Sequence, residues 1–216
     1  TLVFGGSIPP FTGITETWNG TNWTEVNDLT TARRFMGSAG TSTAALGFGG
    51  NNPAIPSTRM AQTETWNGTN WTEVNDLGTA RYGGGSAGAT NTAALNFGGI
   101  GPSGTTRVAL TELWNGTNWT EVNDLNLSIT RMGSAGTSTA ALGFGGNPPN
   151  AAQETESWNG TNWTAVANMS VGKDNTPGGA GTQTAALAFG GEAAPGVTAA
   201  TEEWTDPGII TKTLTT

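Results

Sequence analysis

The sequence predicts an all-β protein, a five-bladed β-propeller built from four-stranded antiparallel blades, and three observations carry that prediction. The hexapeptide Trp-Asn-Gly-Thr-Asn-Trp occurs four times, from Trp18, Trp66, Trp114 and Trp158, and a degenerate fifth copy begins at Trp204. Phe-Gly-Gly occurs five times, at Phe4, Phe48, Phe97, Phe144 and Phe189, with successive copies 44 to 49 residues apart, the length of one four-stranded blade. The composition, with 34 Gly, 9 Trp and 11% charged residues, suits short strands and tight turns and not helices. A length of 216 residues accommodates one such domain, with blades near 1–29, 34–77, 82–125, 131–168 and 175–216.

Each repeat divides into four strand-like pieces. In the copy that starts near Phe35, the first piece is Met36 to Gly40, small enough to crowd around a narrow axis. A turn at Thr41-Ser42 leads to the second, Ala44 to Phe48, ended by Gly49-Gly50. After a loop comes the third, Gln62 to Trp66, and the turn Asn67 to Asn70 opens the fourth, Trp71 to Asn75. Asn-Gly is a strong hairpin signal because both residues tolerate positive φ, and Trp66 and Trp71 flank that turn, where their packing sets its register. The formal glycosylation acceptors Asn-Gly-Thr and Asn-Trp-Thr are accounted for by the same hairpin chemistry.

The order of a small inner strand, an apolar strand ending in Gly-Gly, a loop, an aromatic strand and a Trp strand resembles the kelch repeat over the whole chain. The Gly-Gly pairs and the Trp at the head of the fourth strand (Trp23, Trp71, Trp119, Trp163) carry the resemblance. Trp18, Trp66, Trp114 and Trp158 stand where kelch repeats usually have Tyr, and the spacing to the second Trp is shorter. The near-identical Trp-Asn-Gly-Thr-Asn-Trp form is similar to kelch-like repeats of phage tail-fibre and virion proteins, especially of marine phages. That resemblance implies a virion or extracellular location.

Second, third and fourth strands each occur five times, whereas the inner strand occurs four times, near Gly37, Gly85, Gly133 and Gly178. The first blade is expected to lack its inner strand within these residues. Ile209 to Leu214 aligns best with a fourth strand and does not obviously fill the gap. The expectation is that the chain is the C-terminal part of a longer one. The alternative is a strand donated by the C-terminus or by a neighbouring molecule.

Several function classes are disfavoured. A formal charge of −8 argues against nucleic acid, whose phosphates need a surplus of Lys and Arg. Cys and His are both absent, so no disulfide, thiol or His-dependent metal chemistry is available, and no cofactor is expected. No apolar run approaches the ~20 residues that span a bilayer. Among propeller enzymes, the copper site of galactose oxidase needs His ligands, and sialidases need an arginine cluster with a Tyr nucleophile. Here the single Tyr, Tyr82, merely follows Arg81. Asp174, Glu192 and Asp206 are the irregular carboxylates and form no recognisable pair. A non-enzymatic protein is expected.

Antiparallel blades sort the connections onto two faces. Turns between strands one and two, and three and four, are almost unvarying: Thr41-Ser42 matches Thr137-Ser138, and Asn-Gly-Thr-Asn appears four times. The loops between strands two and three differ in every repeat, running Ser7 to Ile14, Asn51 to Ala61, Ile100 to Ala109, Asn147 to Gln153 and Glu192 to Ala200. Seven of the eight basic residues, Arg33, Arg34, Arg59, Arg81, Arg107, Arg131 and Lys173, fall in or beside the variable connections. Most carboxylates fall in strands, such as Glu16, Glu25, Glu64, Glu73, Glu112 and Glu121.

Those seven cations, with Phe11 and Tyr82 as aromatic platforms, are the candidate ligand-binding residues. Arg could grip carboxylate, sulfate or phosphate groups of a surface polysaccharide. The competing structural reading pairs Arg33 with Asp28 and Arg81 with Asp76, at the ends of their own fourth strands. For Arg59 and Arg107 both readings stay open, as does cation binding by Asp28, Asp76 and Asp124. The Trp residues (Trp18, Trp23, Trp66, Trp71, Trp114, Trp119, Trp158, Trp163 and Trp204) are assigned to the repeat core. The expected function is a receptor-binding or adhesion domain of a phage tail fibre that recognises host-surface glycan, with no membrane insertion and possible homo-oligomerisation through a larger fibre. The alternatives are a structural decoration or spacer contacting other virion proteins, or a bacterial surface adhesin.

Overall fold

The computed structural model describes residues 1–7, 11–54, 59–103, 105–147, 153–175, 177–193, 196–197 and 199–206. Among these the chain is all-β and forms a five-bladed β-propeller, each blade an antiparallel meander. Blade 1 contains β1 (Leu2–Gly6), β2 (Thr12–Trp18) and β3 (Trp23–Val26). Blade 2 contains β4 (Gly37–Gly40), β5 (Ala45–Phe48), β6 (Thr63–Trp66) and β7 (Trp71–Val74). Blade 3 contains β8 (Gly85–Thr90), β9 (Ala93–Phe97), β10 (Thr111–Trp114) and β11 (Trp119–Val122). Blade 4 contains β12 (Gly133–Thr137), β13 (Ala140–Phe144), β14 (Thr155–Trp158) and β15 (Trp163–Ala165). Blade 5 contains β16 (Gly178–Gly181), β17 (Ala185–Phe189) and β20 (Thr201–Thr205), with a small ribbon of β18 (Glu192–Ala193) and β19 (Gly196–Val197) in its variable loop. That ribbon has no counterpart in the sequence prediction. The expected fourth strand over 209–214 lies outside the described residues.

Strands β5 and β13 read as continuous small and apolar runs, and β9 as the same run with Asn96 within it, because both of their faces are covered by neighbouring blades. The Gly-Gly pair after each of them turns the chain out of the blade. Gly49 and Gly50 sit at φ of 62° and 101°, and a Cβ on Gly49 would lie 2.7 Å from the Arg81 carbonyl oxygen. The inner strands β4, β8, β12 and β16 lie side by side around the axis. Their Gly and Ala residues permit that approach, and hydrogen bonds run between neighbours: the Ser38 N–H donates to Ser86 Oγ at 3.2 Å, and the Ser86 N–H to Ser134 Oγ at 3.3 Å.

The outer hairpins have the expected register, with Trp66 opposite Trp71 and their rings 5.5 Å apart. Their turn geometry differs from the expectation. Gly68 takes positive φ, at 93°, but Asn67 does not. Asn67 instead accepts, through Oδ1, the N–H groups of Thr69 and Asn70 at 2.9 Å each, so its side chain braces a four-residue link.

One lock repeats at the seams between blades. The Trp that opens the fourth strand lies against the Phe of the preceding blade: Trp71 on Phe4 at 4.7 Å, Trp119 on Phe48 at 4.8 Å and Trp163 on Phe97 at 4.7 Å. The same indole N–H donates to a buried threonine hydroxyl of that preceding blade, 3.0 Å away in each case, at Thr15, Thr63 and Thr111. Outside this lock, Asn27, Asn75 and Asn123 donate to the hairpin turn of the next blade, at Asn70, Asn118 and Asn162.

The Trp residues are therefore not all equivalent. Trp66, Trp71, Trp114, Trp158 and Trp163 are buried, and Trp119 and Trp204 are half-buried. Trp18 and Trp23 are 37% and 47% exposed, because no described blade covers the flank of blade 1 on which they lie. Their assignment to the repeat core is corrected accordingly. At the other end of the series, Phe189 is 43% exposed for the same reason. Truncating Trp71 to Ala is expected to lower unfolding stability by about 3–5 kcal/mol. Trp23→Ala, which empties no buried site, is expected to cost less than about 1 kcal/mol. Urea unfolding of the two variants checks this contrast, and equal losses would contradict it.

Candidate functional site

The loops leaving the second and fourth strands gather at one face of the disc. Short antiparallel bridges order them: Arg34 with Asn51 and Asn51 with Arg59, Tyr82 with Ile100 and Ile100 with Arg107, Thr130 with Asn147, and Asp174 with Glu192. Arg34, Tyr82, Thr130 and Asp174 thus occupy equivalent positions in successive blades. The residue immediately before each of them is Arg33, Arg81, Ile129 or Lys173. The two positions have opposite fates.

Arg33, Arg81 and Lys173 point inwards and are completely or almost completely buried. Arg33 crosses the seam to Glu64 of the next blade at 2.9 Å, and Arg81 to Glu112 at 2.6 Å. Burial lowers both guanidinium pKa values, opposed chiefly by the facing carboxylate. Each glutamate also accepts backbone N–H groups of the crossing loop, Thr30 to Glu64 at 2.8 Å and Gly78 to Glu112 at 2.7 Å. Lys173 donates to the Ala200 carbonyl at 2.7 Å, beside Glu202. At the seam where Ile129 replaces the cation, Glu156 is satisfied by the N–H of Asn126 at 2.9 Å and its side-chain amide at 2.6 Å.

These three cations are seam braces, a correction to their assignment as ligand contacts. The expected pairing of Arg33 with Asp28 and Arg81 with Asp76 is corrected too, since both partners come from the next blade. Asp28, Asp76 and Asp124 instead accept the N–H groups of Thr15, Thr63 and Thr111 at 3.1, 3.1 and 2.9 Å, bracing the third strands of their own blades. No cluster of three or more metal-ligating side chains occurs among the described residues.

Arg34, Arg59, Tyr82, Arg107 and Arg131, with Phe11, stand on the loop face and are half-buried. The Arg34 guanidinium lies 5.0 Å from the Phe11 ring and 4.9 Å from the Phe35 ring, and it donates to Asn51 Oδ1 at 3.1 Å and to Ser7 Oγ at 3.2 Å. Phe35 stacks on Tyr82 at 6.1 Å, and Arg59 lies 6.0 Å over the other aromatic of that pair, Tyr82. These contacts form one continuous patch of alternating guanidinium and aromatic groups, Phe11, Arg34, Phe35, Tyr82 and Arg59. Further round, Arg107 donates to Asn147 and Arg131 to Asn175. The Asn147 amide donates to Asp174 at 2.5 Å, and that of Asn175 to Glu192 at 2.6 Å. The face is basic and aromatic over blades 1 to 3 and acidic near blade 5.

Phe35 was not among the sequence candidates. It occupies the position held by Gly83, Arg131 and Asn175 in the following blades, where the turn requires a left-handed backbone: φ is 55° at Phe35, 67° at Gly83, 56° at Arg131 and 53° at Asn175. Holding a bulky L-residue there costs roughly 1–2 kcal/mol relative to glycine. The ring is nevertheless 44% exposed, so its burial recovers only part of that cost. Aligning the repeats on the residue after Arg34, Tyr82, Thr130 and Asp174 would have flagged it.

The fold and its loop face define a class, a repeat-built β-propeller that presents unlike loops from a constant frame. Comparison of the chain with protein-family models and with curated proteins finds no match.

Replacing Arg81 by Met leaves the Glu112 carboxylate buried without its cation and is expected to destabilise the fold by about 3–5 kcal/mol. Arg107→Ala, on the half-exposed loop face, is expected to stay within about 0.5 kcal/mol of the parent. Thermal or urea unfolding decides. An unchanged stability in Arg81→Met would contradict the bracing role.

Proposed function

We propose that the chain is a non-enzymatic binding module whose loop face holds an anionic host-surface polysaccharide, as the receptor-binding part of a virion appendage of the tail-fibre type. The observation that carries this reading is the guanidinium–aromatic patch of Phe11, Arg34, Phe35, Tyr82 and Arg59. Planar guanidinium groups match carboxylate and sulfate geometry, and aromatic rings offer flat apolar surface to the carbon face of a sugar. The patch is built on the loops that differ between repeats. The strained turn at Phe35 supports the reading, because a side chain is retained there where glycine would fit without strain. Several such modules on one fibre would bind through avidity even where each site is weak. The kelch-like resemblance in the repeat motifs supports the virion setting.

The test is binding of the purified chain to uronate-bearing and sulfated polysaccharides and to whole cells, at low and at physiological salt. The expected result is saturable binding that weakens with salt and falls at least tenfold (about 1.4 kcal/mol) in an Arg59→Ala/Tyr82→Ala variant of unchanged melting temperature. Absence of binding by the folded protein, or equal binding by the variant, would overturn the reading in favour of an architectural role.

A further inference from the structure

The constant face of the disc carries one chemically labile arrangement four times. Each outer hairpin turns through Asn-Gly, at Asn19-Gly20, Asn67-Gly68, Asn115-Gly116 and Asn159-Gly160, and all eight residues are exposed. In every copy the asparagine side chain folds back over the link, its Oδ1 accepting the N–H groups two and three residues on at 2.8 to 2.9 Å. Among the described residues none of the four glycine N–H groups donates a hydrogen bond. Space is open beside them: a Cβ on Gly20 would meet nothing within 4 Å, and one on Gly68 nothing nearer than the Thr43 carbonyl oxygen at 3.3 Å. The second asparagine of each turn is also exposed but differently placed. Asn22, Asn70, Asn118 and Asn162 precede Trp23, Trp71, Trp119 and Trp163, whose backbone is fixed opposite Trp18, Trp66, Trp114 and Trp158 in the strand pairs.

We propose that these four turns are modification sites, at which the folded protein converts Asn19, Asn67, Asn115 and Asn159 to aspartyl and isoaspartyl residues through a cyclic imide. At Asn67 a solvent base removes the Gly68 N–H proton, and that nitrogen forms a bond to Asn67 Cγ. Negative charge gathers on Oδ1, where the N–H groups of Thr69 and Asn70 already point, the arrangement that stabilises a tetrahedral intermediate. Solvent protonates Nδ2, the oxyanion collapses, and the Cγ–Nδ2 bond breaks to release ammonia. Water then opens the ring at either carbonyl, leaving a side-chain carboxylate or a main chain lengthened by one methylene. Glycine suits the attacking position because it has no Cβ to hinder the approach. The tryptophan nitrogen after the second asparagine cannot make the same swing without breaking the hairpin pair. The turns contain no charged residue, so conversion adds up to four carboxylates there to a chain of formal charge −8. A lengthened link also displaces Asn70, Asn118 and Asn162, which receive the side chains of Asn27, Asn75 and Asn123 from the preceding blade. The outer clasp between blades therefore loosens with age. This chemistry lies on the face away from the guanidinium–aromatic patch and does not depend on the glycan reading.

The experiment ages the intact folded chain in mildly alkaline buffer at physiological temperature, with a mildly acidic control, and maps its peptides by mass spectrometry. Trypsin cuts at Arg33, Arg59, Arg81, Arg107, Arg131 and Lys173, which puts each turn in a separate peptide. The expected result is amide-to-acid conversion at Asn19, Asn67, Asn115 and Asn159, faster in the alkaline arm, with Asn22, Asn70, Asn118 and Asn162 intact. Isoaspartyl linkages, read by enzymatic carboxyl methylation, should appear in the same four peptides. Gly68→Asn, which tolerates the left-handed turn, should slow conversion at Asn67 at least about tenfold, with the other three turns as internal controls. Four intact turns after ageing, equal conversion of the two asparagines in each turn, or conversion confined to a urea-unfolded sample would each overturn the proposal.

Discussion

Three seams of this propeller, between blades 1 and 2, 2 and 3, and 3 and 4, are each held by an indole gripped at two points. Its ring lies on a phenylalanine of the preceding blade, and its N–H reaches a threonine hydroxyl buried in the same blade. The first contact adds about 0.5–1.5 kcal/mol to the burial of two large rings, and the second satisfies the one polar atom that would otherwise oppose burying the indole. No single blade could bury these surfaces alone. Four-stranded sheets of Gly, Ala, Thr and Asn offer little apolar area of their own, so their stability resides in the contacts between neighbours, as in other repeat architectures. The exposure of Trp23 and Phe189 follows directly, since these are the same positions on flanks that no described blade covers.

Because the indole lock sits in the strands, most loop positions are released from holding the blades together. The loops also brace the seam through the residue before Arg34, Tyr82 and Asp174, where Arg33, Arg81 and Lys173 are buried against the next blade. Facing glutamates tie down the crossing chain by accepting its backbone N–H groups. Everything beyond that brace is free to differ in length and chemistry between blades. The result is a frame with a monotonous face of Asn-Gly-Thr-Asn turns and an individual face with cations, aromatics and acidic groups in separate sectors.

Much of this was legible in the sequence. The period, the blade count and the strand types all follow from motif spacing, because each motif marks a backbone requirement that recurs once per blade. Two kinds of information were not legible. Adjacent residues such as Arg33 and Arg34 look alike in a basic loop, yet one turns into the seam and the other onto the surface, and only the bridge that Arg34 makes to Asn51 separates them. Likewise Asp28, Asp76 and Asp124 are near Arg33 and Arg81 in sequence, but strand packing gives the arginines to glutamates of the next blade and the aspartates to backbone N–H groups of their own. The platform at Phe35 was hidden for a different reason. Its role depends on a left-handed turn whose glycine appears in another repeat, at Gly83.

The central claim is that the ring-on-ring contact between neighbouring blades is itself a source of stability and not a by-product of burying each residue. A double-mutant cycle on Phe48 and Trp119, replacing each by leucine singly and together and measuring unfolding free energies in urea, tests it most directly. The account predicts a coupling energy of about 0.5–1.5 kcal/mol between the two positions. Additive losses, with no coupling beyond error, would contradict it and place the stability within the blades.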